Sequence, residues 1–122
     1  MIAAVHRRTS ALLLLLLAIG TVQLCWAHAL LMDSRPKVNS AVNGSEVDIN
    51  LRFNVRIDGA RSRIQLVAPD GTSSKLAVRV QSTPDILQTH VAGLKRGAYK
   101  LEWQVLASDG HMSRGEIPFT VK

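Results

Sequence analysis

The sequence predicts an all-β fold, an immunoglobulin-like sandwich or Greek-key β-barrel of about seven strands. Apolar and polar residues alternate with a period of two in short segments along the chain, which is typical of half-buried strands. Turn-forming residues separate these segments, and none of them shows a convincing helical period. The predicted strands are 30–34, 46–53, 63–67, 75–80, 86–91, 99–105 and 117–121.

The first four strands differ in how clearly the sequence shows them. The first is a short opening segment. The second is the clearest, because every other residue from Val47 to Phe53 is apolar while the residues between them are polar. The third stops at Pro69-Asp70-Gly71, which favours a tight turn, and the fourth resumes the alternation beyond that turn.

The last three strands complete the predicted domain. The fifth follows an interruption at residues 82–85, and a basic turn bracketed by Gly93 and Gly97 precedes the sixth. Apolar residues occupy alternate positions of the sixth strand, among them Trp103, which we expect in the core together with Phe53. The seventh strand closes the chain in the same alternating manner. We therefore expect one all-β domain.

The first 27 residues predict a secretory signal peptide rather than part of the fold. Arg7 and Arg8 precede an uninterrupted apolar run over residues 11–19. That run is shorter than the roughly 20 apolar residues that a membrane span requires, and no second hydrophobic stretch follows it. We expect residues 1–27 to be removed on export, which leaves a domain of residues 28–122 that does not itself span the membrane.

Two cleavage positions fit the size rules for signal peptides equally well. A cut after Ala27 makes His28 the first residue of the mature chain, whereas a cut after Ala29 discards His28. These rules leave the choice open. The single cysteine, Cys25, precedes both cuts, so the mature domain must fold without a disulfide and depends on its hydrophobic core.

The charge of the mature domain argues against nucleic acid as a partner. Loss of Arg7 and Arg8 leaves 13 Lys and Arg residues against nine Asp and Glu residues, a net charge of +4. The longest basic run left is Lys95-Arg96, and the few aromatic residues are not interleaved with the basic ones. Nucleic-acid binding requires a clustered basic face, so we interpret these charges as a solvated surface.

His28 becomes chemically distinctive if it is the first residue of the mature chain. Its α-amino nitrogen and a ring nitrogen can then chelate one metal ion. The amine has a pKa of about 8, so a strongly Lewis-acidic ion can displace its proton near neutral pH. Because one residue supplies two nitrogens, only one or two further ligands are needed to complete a square.

Asp109-Gly110-His111 can supply those ligands. In an extended chain, residues i and i+2 point to the same side, so Asp109 and His111 can converge on one ion, and Gly110 eases a tight backbone. One amine, two imidazoles and one carboxylate favour Cu(II), whereas Cu(I) is a poor match without a thiolate. We therefore predict one Cu(II) ion held by His28, Asp109 and His111, with no catalytic residues beyond the metal.

Simpler interpretations of the same residues also exist. Asp-Gly is a common hairpin turn pair, and an exposed loop histidine is most often merely solvated. His90 lies in an alternating strand and shows no ligand pattern of its own. Met32 and Met112 flank the two candidate histidines and are possible thioether ligands, although scattered methionines are more often packing residues.

An ordered set of motifs resembles the CopC family of periplasmic copper-binding, copper-resistance proteins. The resemblance covers essentially all of the mature chain. It implies a Greek-key barrel or sandwich and an N-terminal histidine-brace Cu(II) site, in which the amine and ring of His28 bind together with Asp109 and His111. It also supports the cut after Ala27. The motifs are His28-Ala29-Leu30, Ser34-x-Pro36, Leu51-Arg52-Phe53, Gly97-Ala98-Tyr99-x-Leu101-x-Trp103, Ser108-Asp109-Gly110-His111, Gly115 and Phe119-Thr120-Val121.

Two departures from the family pattern limit what the resemblance implies. Some members carry a methionine-rich loop that binds Cu(I), and this chain has no such cluster. Some members also have an acidic residue just after the strand phenylalanine, where this chain has Asn54 and Val55, so the ligand set is not extended to that region. The family works beside an inner-membrane CopD-type protein, which is the partner that the resemblance implies.

Three functions follow as hypotheses. The leading one is a periplasmic Cu(II) carrier for copper homeostasis and resistance, which is not an enzyme. The second is a histidine-brace copper oxygenase acting on a polysaccharide. Such an enzyme needs a flat aromatic surface, and only Phe53, Tyr99, Trp103 and Phe119 remain after signal removal. The third is an immunoglobulin-like structural module without metal, which a mature chain starting at Leu30 would favour.

Overall fold

A computed structural model describes residues 28–79 and 81–122, and the strands it contains lie in two sheets. One sheet has three strands in the order β1-β3-β6, and the other has five in the order β2-β8-β7-β4-β5. The predicted all-β sandwich is confirmed. The predicted signal peptide, residues 1–27, lies outside the described residues. The strands are β1 (Leu31–Arg35), β2 (Ser40–Val42), β3 (Val47–Phe53), β4 (Ile57–Val67), β5 (Ser73–Leu76), β6 (Ile86–Val91), β7 (Gly97–Ala107) and β8 (Met112–Val121).

The core lies between the two sheets and is formed by the apolar faces that the alternation predicted. Phe53 of β3 meets Trp103 of β7 edge to face across the sandwich, with ring centroids 5.1 Å apart. Tyr99 stacks on Phe119, with ring centroids 5.6 Å apart. All four aromatic side chains of the described chain are buried, so the prediction that Trp103 and Phe53 belong to the core is confirmed.

The observed strands differ from the predicted ones at several places. β4 begins at Ile57 rather than at residue 63, and β8 begins at Met112 rather than at residue 117. Ser40–Val42 forms an eighth strand, which pairs in parallel with the end of β8 and is too short to show an alternating pattern. The strand predicted over residues 75–80 is wrong at residues 77–79, since β5 ends at Leu76. There the chain leaves β4 and crosses to the other sheet, where Thr89 Oγ1 donates to the Ala77 carbonyl at 2.6 Å and the Arg79 N–H donates to the Gln88 carbonyl at 2.8 Å.

The hairpin of β7 and β8 is the longest pairing in the domain and positions the candidate site. Its register runs without interruption from Gly97 opposite Val121 to Leu106 opposite Met112. Residues 108–111 therefore form the tip of a stiff ladder. In the residues that the structure describes, there is no helix long and apolar enough to cross a membrane.

Candidate metal centre

The predicted Asp109-Gly110-His111 motif forms the turn between β7 and β8. The Gly110 N–H donates to the Ala107 carbonyl at 2.9 Å, and the Ala107 N–H donates to the His111 carbonyl at 2.8 Å. Gly110 has a φ of +91°, a left-handed conformation that favours glycine. The motif is therefore a turn and not the extended chain we expected. Asp109 and His111 are brought together by the turn rather than by the i, i+2 geometry of a strand.

Asp109 is held against His111 by two contacts. Its Oδ1 atom accepts a hydrogen bond from the His111 backbone N–H at 3.0 Å, and its Oδ2 atom lies 3.3 Å from His111 Nδ1. The backbone hydrogen bond, followed by the charge of His111, lowers the pKa of Asp109 below its ordinary value. Asp109 is thus a carboxylate at neutral pH, and it can orient the His111 ring or donate an oxygen to a cation.

His28 lies beside this turn because the next two residues are tied to the domain. Ala29 is buried, and its N–H donates to Ser113 Oγ at 3.0 Å. The Leu30 N–H donates to Asn54 Oδ1 at 2.7 Å. As a result the His28 ring centroid is 6.4 Å from that of His111, with the planes inclined at 66°.

The structure therefore unites the three predicted site residues as two pairs, His28 with His111 and His111 with Asp109. Among the residues that the structure describes, no three His, Cys, Asp or Glu side chains form a group that could hold a metal ion. The 6.4 Å between the two rings is a span that one ion could bridge, since metal–imidazole nitrogen distances are about 2 Å. In the uncut chain, the His28 nitrogen is part of a peptide bond, so the amine ligand requires cleavage after Ala27.

The sequence left Met32 and Met112 open as thioether ligands or packing residues, and neither is packed in the core. Met32 and Met112 are 55% and 41% exposed, because both side chains lie on outward positions of their strands. Met112 lines a surface cleft together with His28, Leu30 and Trp103. The thioether of Met112 is therefore accessible next to the candidate site, whereas packing in the core is excluded for both residues.

His90 belongs to a different part of the molecule. It pairs with Asp48 across β3 and β6, roughly 17 Å along β3 from Phe53 at the rise of an extended strand. Its Nδ1 atom lies 2.8 Å from Asp48 Oδ1, and its Nε2 atom lies 3.4 Å from Glu46 Oε2. Both ring nitrogens thus face carboxylates on the protein surface.

These contacts predict the titration of His90. The hydrogen bond to Asp48, and after it the one to Glu46, raises the pKa of His90 above 6.5. We expect Asp48→Asn to lower that pKa toward its ordinary value, as measured by NMR titration of the ring protons. Because the folded pKa is raised, the stabilisation is fully present below about pH 6.5 and is lost as the pH rises through the folded pKa. Asp33→Asn is the control, and an unchanged pKa in Asp48→Asn would contradict the prediction.

Sequence reasoning missed Asn54 and Ser113 as parts of this region. In the sequence, Asn54 stands out only as a departure from the family pattern. The bond between Ala29 and Ser113 spans 84 positions of the chain, so no local pattern could reveal it. Their contribution is to hold the segment that carries His28.

A family model described as the CopC domain matches residues 31–122. The chain is 31% identical over 100 residues to protein YobA of Escherichia coli strain K12, covering 80% of this chain and 81% of the relative. It is 28% identical over 114 residues to copper resistance protein C of Escherichia coli, covering 87% and 90%. The crystal structure of CopC from Methylosinus trichosporium OB3b superposes with a TM-score of 0.70 at 30% identity, covering 78% of this chain and 94% of that chain.

Proposed function

The chain belongs to the CopC domain family, and on that premise we propose that it is a periplasmic copper-binding protein that carries one Cu(II) ion. The main observation that supports this proposal is the position of His28, whose ring centroid lies 6.4 Å from that of His111. His111 in turn contacts Asp109. We propose the amine and ring of His28, the His111 ring and the Asp109 carboxylate as ligands.

The chemistry of this donor set supports Cu(II) over other metals. Three nitrogens and one carboxylate oxygen suit a tetragonal site, and Cu(II) binds such sets more tightly than the other common divalent ions. The lowered pKa of Asp109 keeps its oxygens ionised, which favours a cation at the turn. Copper is the cargo in this proposal and not a cofactor of a reaction.

The exposure of the site supports transfer rather than catalysis. His28, Asp109 and His111 are all exposed, so a second protein can reach the ion directly. We propose that an inner-membrane protein of the CopD type receives it, as part of copper homeostasis and resistance. A polysaccharide oxygenase needs exposed aromatic residues, whereas Phe53, Tyr99, Trp103 and Phe119 are all buried. If the domain were a structural module without metal, the proximity of His28 to His111 and of His111 to Asp109 would have no explanation.

Intact mass of the exported protein tests this function. We expect the mature chain to begin at His28 and to gain the mass of one copper ion after incubation with Cu(II) and desalting. A variant expressed so that it begins at Leu30 lacks His28 and is the matched control, which should retain no copper. A mature chain that begins at Leu30, or one that begins at His28 and binds no Cu(II), would contradict the proposal.

A further inference from the structure

We propose that Asn54 and Ser113 are positioning residues for the copper site, because they fix the peptide groups that follow His28 and thereby aim its amine and ring at His111. This inference rests on the proposed function and assigns a role to two residues that do not themselves bind the metal.

Asn54 secures both backbone polar groups of Leu30. Its side-chain Oδ1 atom accepts from the Leu30 N–H at 2.7 Å, and its own N–H donates to the Leu30 carbonyl at 3.0 Å. The Leu30 side chain is 59% exposed, so hydrophobic burial does not hold this residue in place. The two hydrogen bonds to Asn54 do so instead, two positions from His28.

Ser113 holds Ala29, the residue between His28 and Leu30, in place. Its hydroxyl accepts from the Ala29 N–H at 3.0 Å, and the small side chain of Ala29 is buried against the core. Ser113 lies two residues after His111, at the start of β8. The segment of residues 28–30 is therefore tied on one side to the strand that follows the His111 turn, and on the other side to the residue after β3.

The hydrogen bonds of residues 29 and 30 determine which atoms of this segment can bind an ion. The N–H groups of Ala29 and Leu30 are engaged with the protein, so the segment meets an ion through the amine and ring of His28 and not through the following peptide nitrogens. A chain terminus without these bonds must be ordered when the ion binds, and that ordering weakens binding. Outer partners that orient a ligand typically change metal affinity by about 10- to 100-fold. We expect about 10-fold for each residue here.

Asn54→Ala and Asn54→Asp separate this role from general stability. Asn54→Ala removes the acceptor for the Leu30 N–H, whereas Asn54→Asp keeps an oxygen in that position. In mature protein beginning at His28, we expect Asn54→Ala to bind Cu(II) about 10-fold more weakly and to change the Cu(II) electron paramagnetic resonance spectrum. Asn54→Asp adds a carboxylate beside the site, so it serves as the rescue variant only in the measurement without copper. Asn43→Ala, in the exposed turn between β2 and β3, makes the same chemical change elsewhere and should have no effect.

A measurement without copper tests the positioning directly. Amide hydrogen exchange at Leu30 should become faster in Asn54→Ala than in wild type and should slow again in Asn54→Asp. Exchange at core amides such as that of Leu101 should stay unchanged, which distinguishes loss of the local bond from loss of the fold. At Ser113, Ser113→Ala removes the hydroxyl that accepts from the Ala29 N–H, whereas Ser113→Thr keeps a hydroxyl. For these variants, exchange is measured at Ala29. They provide the test if Asn54→Ala does not fold.

The outcomes distinguish the two proposals. If wild-type protein binds Cu(II), but Asn54→Ala and Ser113→Ala bind it with wild-type affinity and spectrum, the positioning role is wrong while the copper function stands. If wild-type protein beginning at His28 binds no Cu(II), both proposals fail. The positioning role is supported by weaker binding in the two alanine variants, by rescue of that binding in Ser113→Thr, and by slow amide exchange at Leu30 in Asn54→Asp.

Discussion

Mature protein carrying His28→Ala is expected to bind Cu(II) at least about 100-fold more weakly than wild type, since even outer partners of metal ligands contribute about 10- to 100-fold. The substitution keeps the N-terminal amine but removes the ring that completes the chelate. It also leaves Ala29 and its bond to Ser113 in place, so the fold should be unaffected. A competition titration against a chelator of known Cu(II) affinity measures the loss.

His90→Ala is the matched control for this prediction. It removes an exposed histidine whose ring faces Asp48 and Glu46 on the three-stranded sheet, far from the β7–β8 turn. Copper affinity should therefore be unchanged. His111→Ala should resemble His28→Ala, because the two rings face one another. Equal affinity in wild type and His28→Ala would remove the proposed site, and a loss in His90→Ala alone would relocate it.

Gly115→Ala is expected to lower the free energy of unfolding by about 2–3 kcal/mol, toward the upper part of the range for overpacked cores. Gly115 of β8 lies opposite Trp103 of β7, and the indole ring occupies the space that a side chain at Gly115 would enter. A Cβ atom built on Gly115 would lie 2.6 Å from Trp103 Cε2. Trp103 is buried and packs against Phe53, so it has little room to move away. For a domain of this size, the midpoint of thermal unfolding should fall by roughly 10 °C or more.

A double-mutant cycle identifies the cause of that loss. Trp103→Phe removes the part of the indole that overlaps the new methyl group, so Gly115→Ala should be less destabilising in that background, with a coupling of about 1 kcal/mol or more. Thr120→Ala, at an exposed position of the same strand, should change stability by less than about 0.5 kcal/mol. Additive effects of Gly115→Ala and Trp103→Phe would show that overlap with the indole is not the cause.

Much of the fold followed from local patterns. Alternation from Val47 to Phe53 and through the strand of Trp103 identified the residues that face the core, because a half-buried strand must place every second side chain inward. The pattern failed where pairing partners decided the outcome. Ser40–Val42 became a strand through its contact with β8, and the chain after Leu76 left its sheet to follow β6.

The sequence by itself determined the donor atoms of the candidate site, since His28, Asp109 and His111 supply nitrogen and oxygen ligands and lie within the family motifs. Only the tertiary structure decided their geometry. Asp109 and His111 meet through a turn with glycine at positive φ. The His28 ring lies beside that of His111, and Asn54 and Ser113 hold the two residues that follow His28. The bond to Asn54 spans 24 residues of the chain and the bond to Ser113 spans 84. Both therefore depend on how the two sheets pack and have no signature in the local sequence.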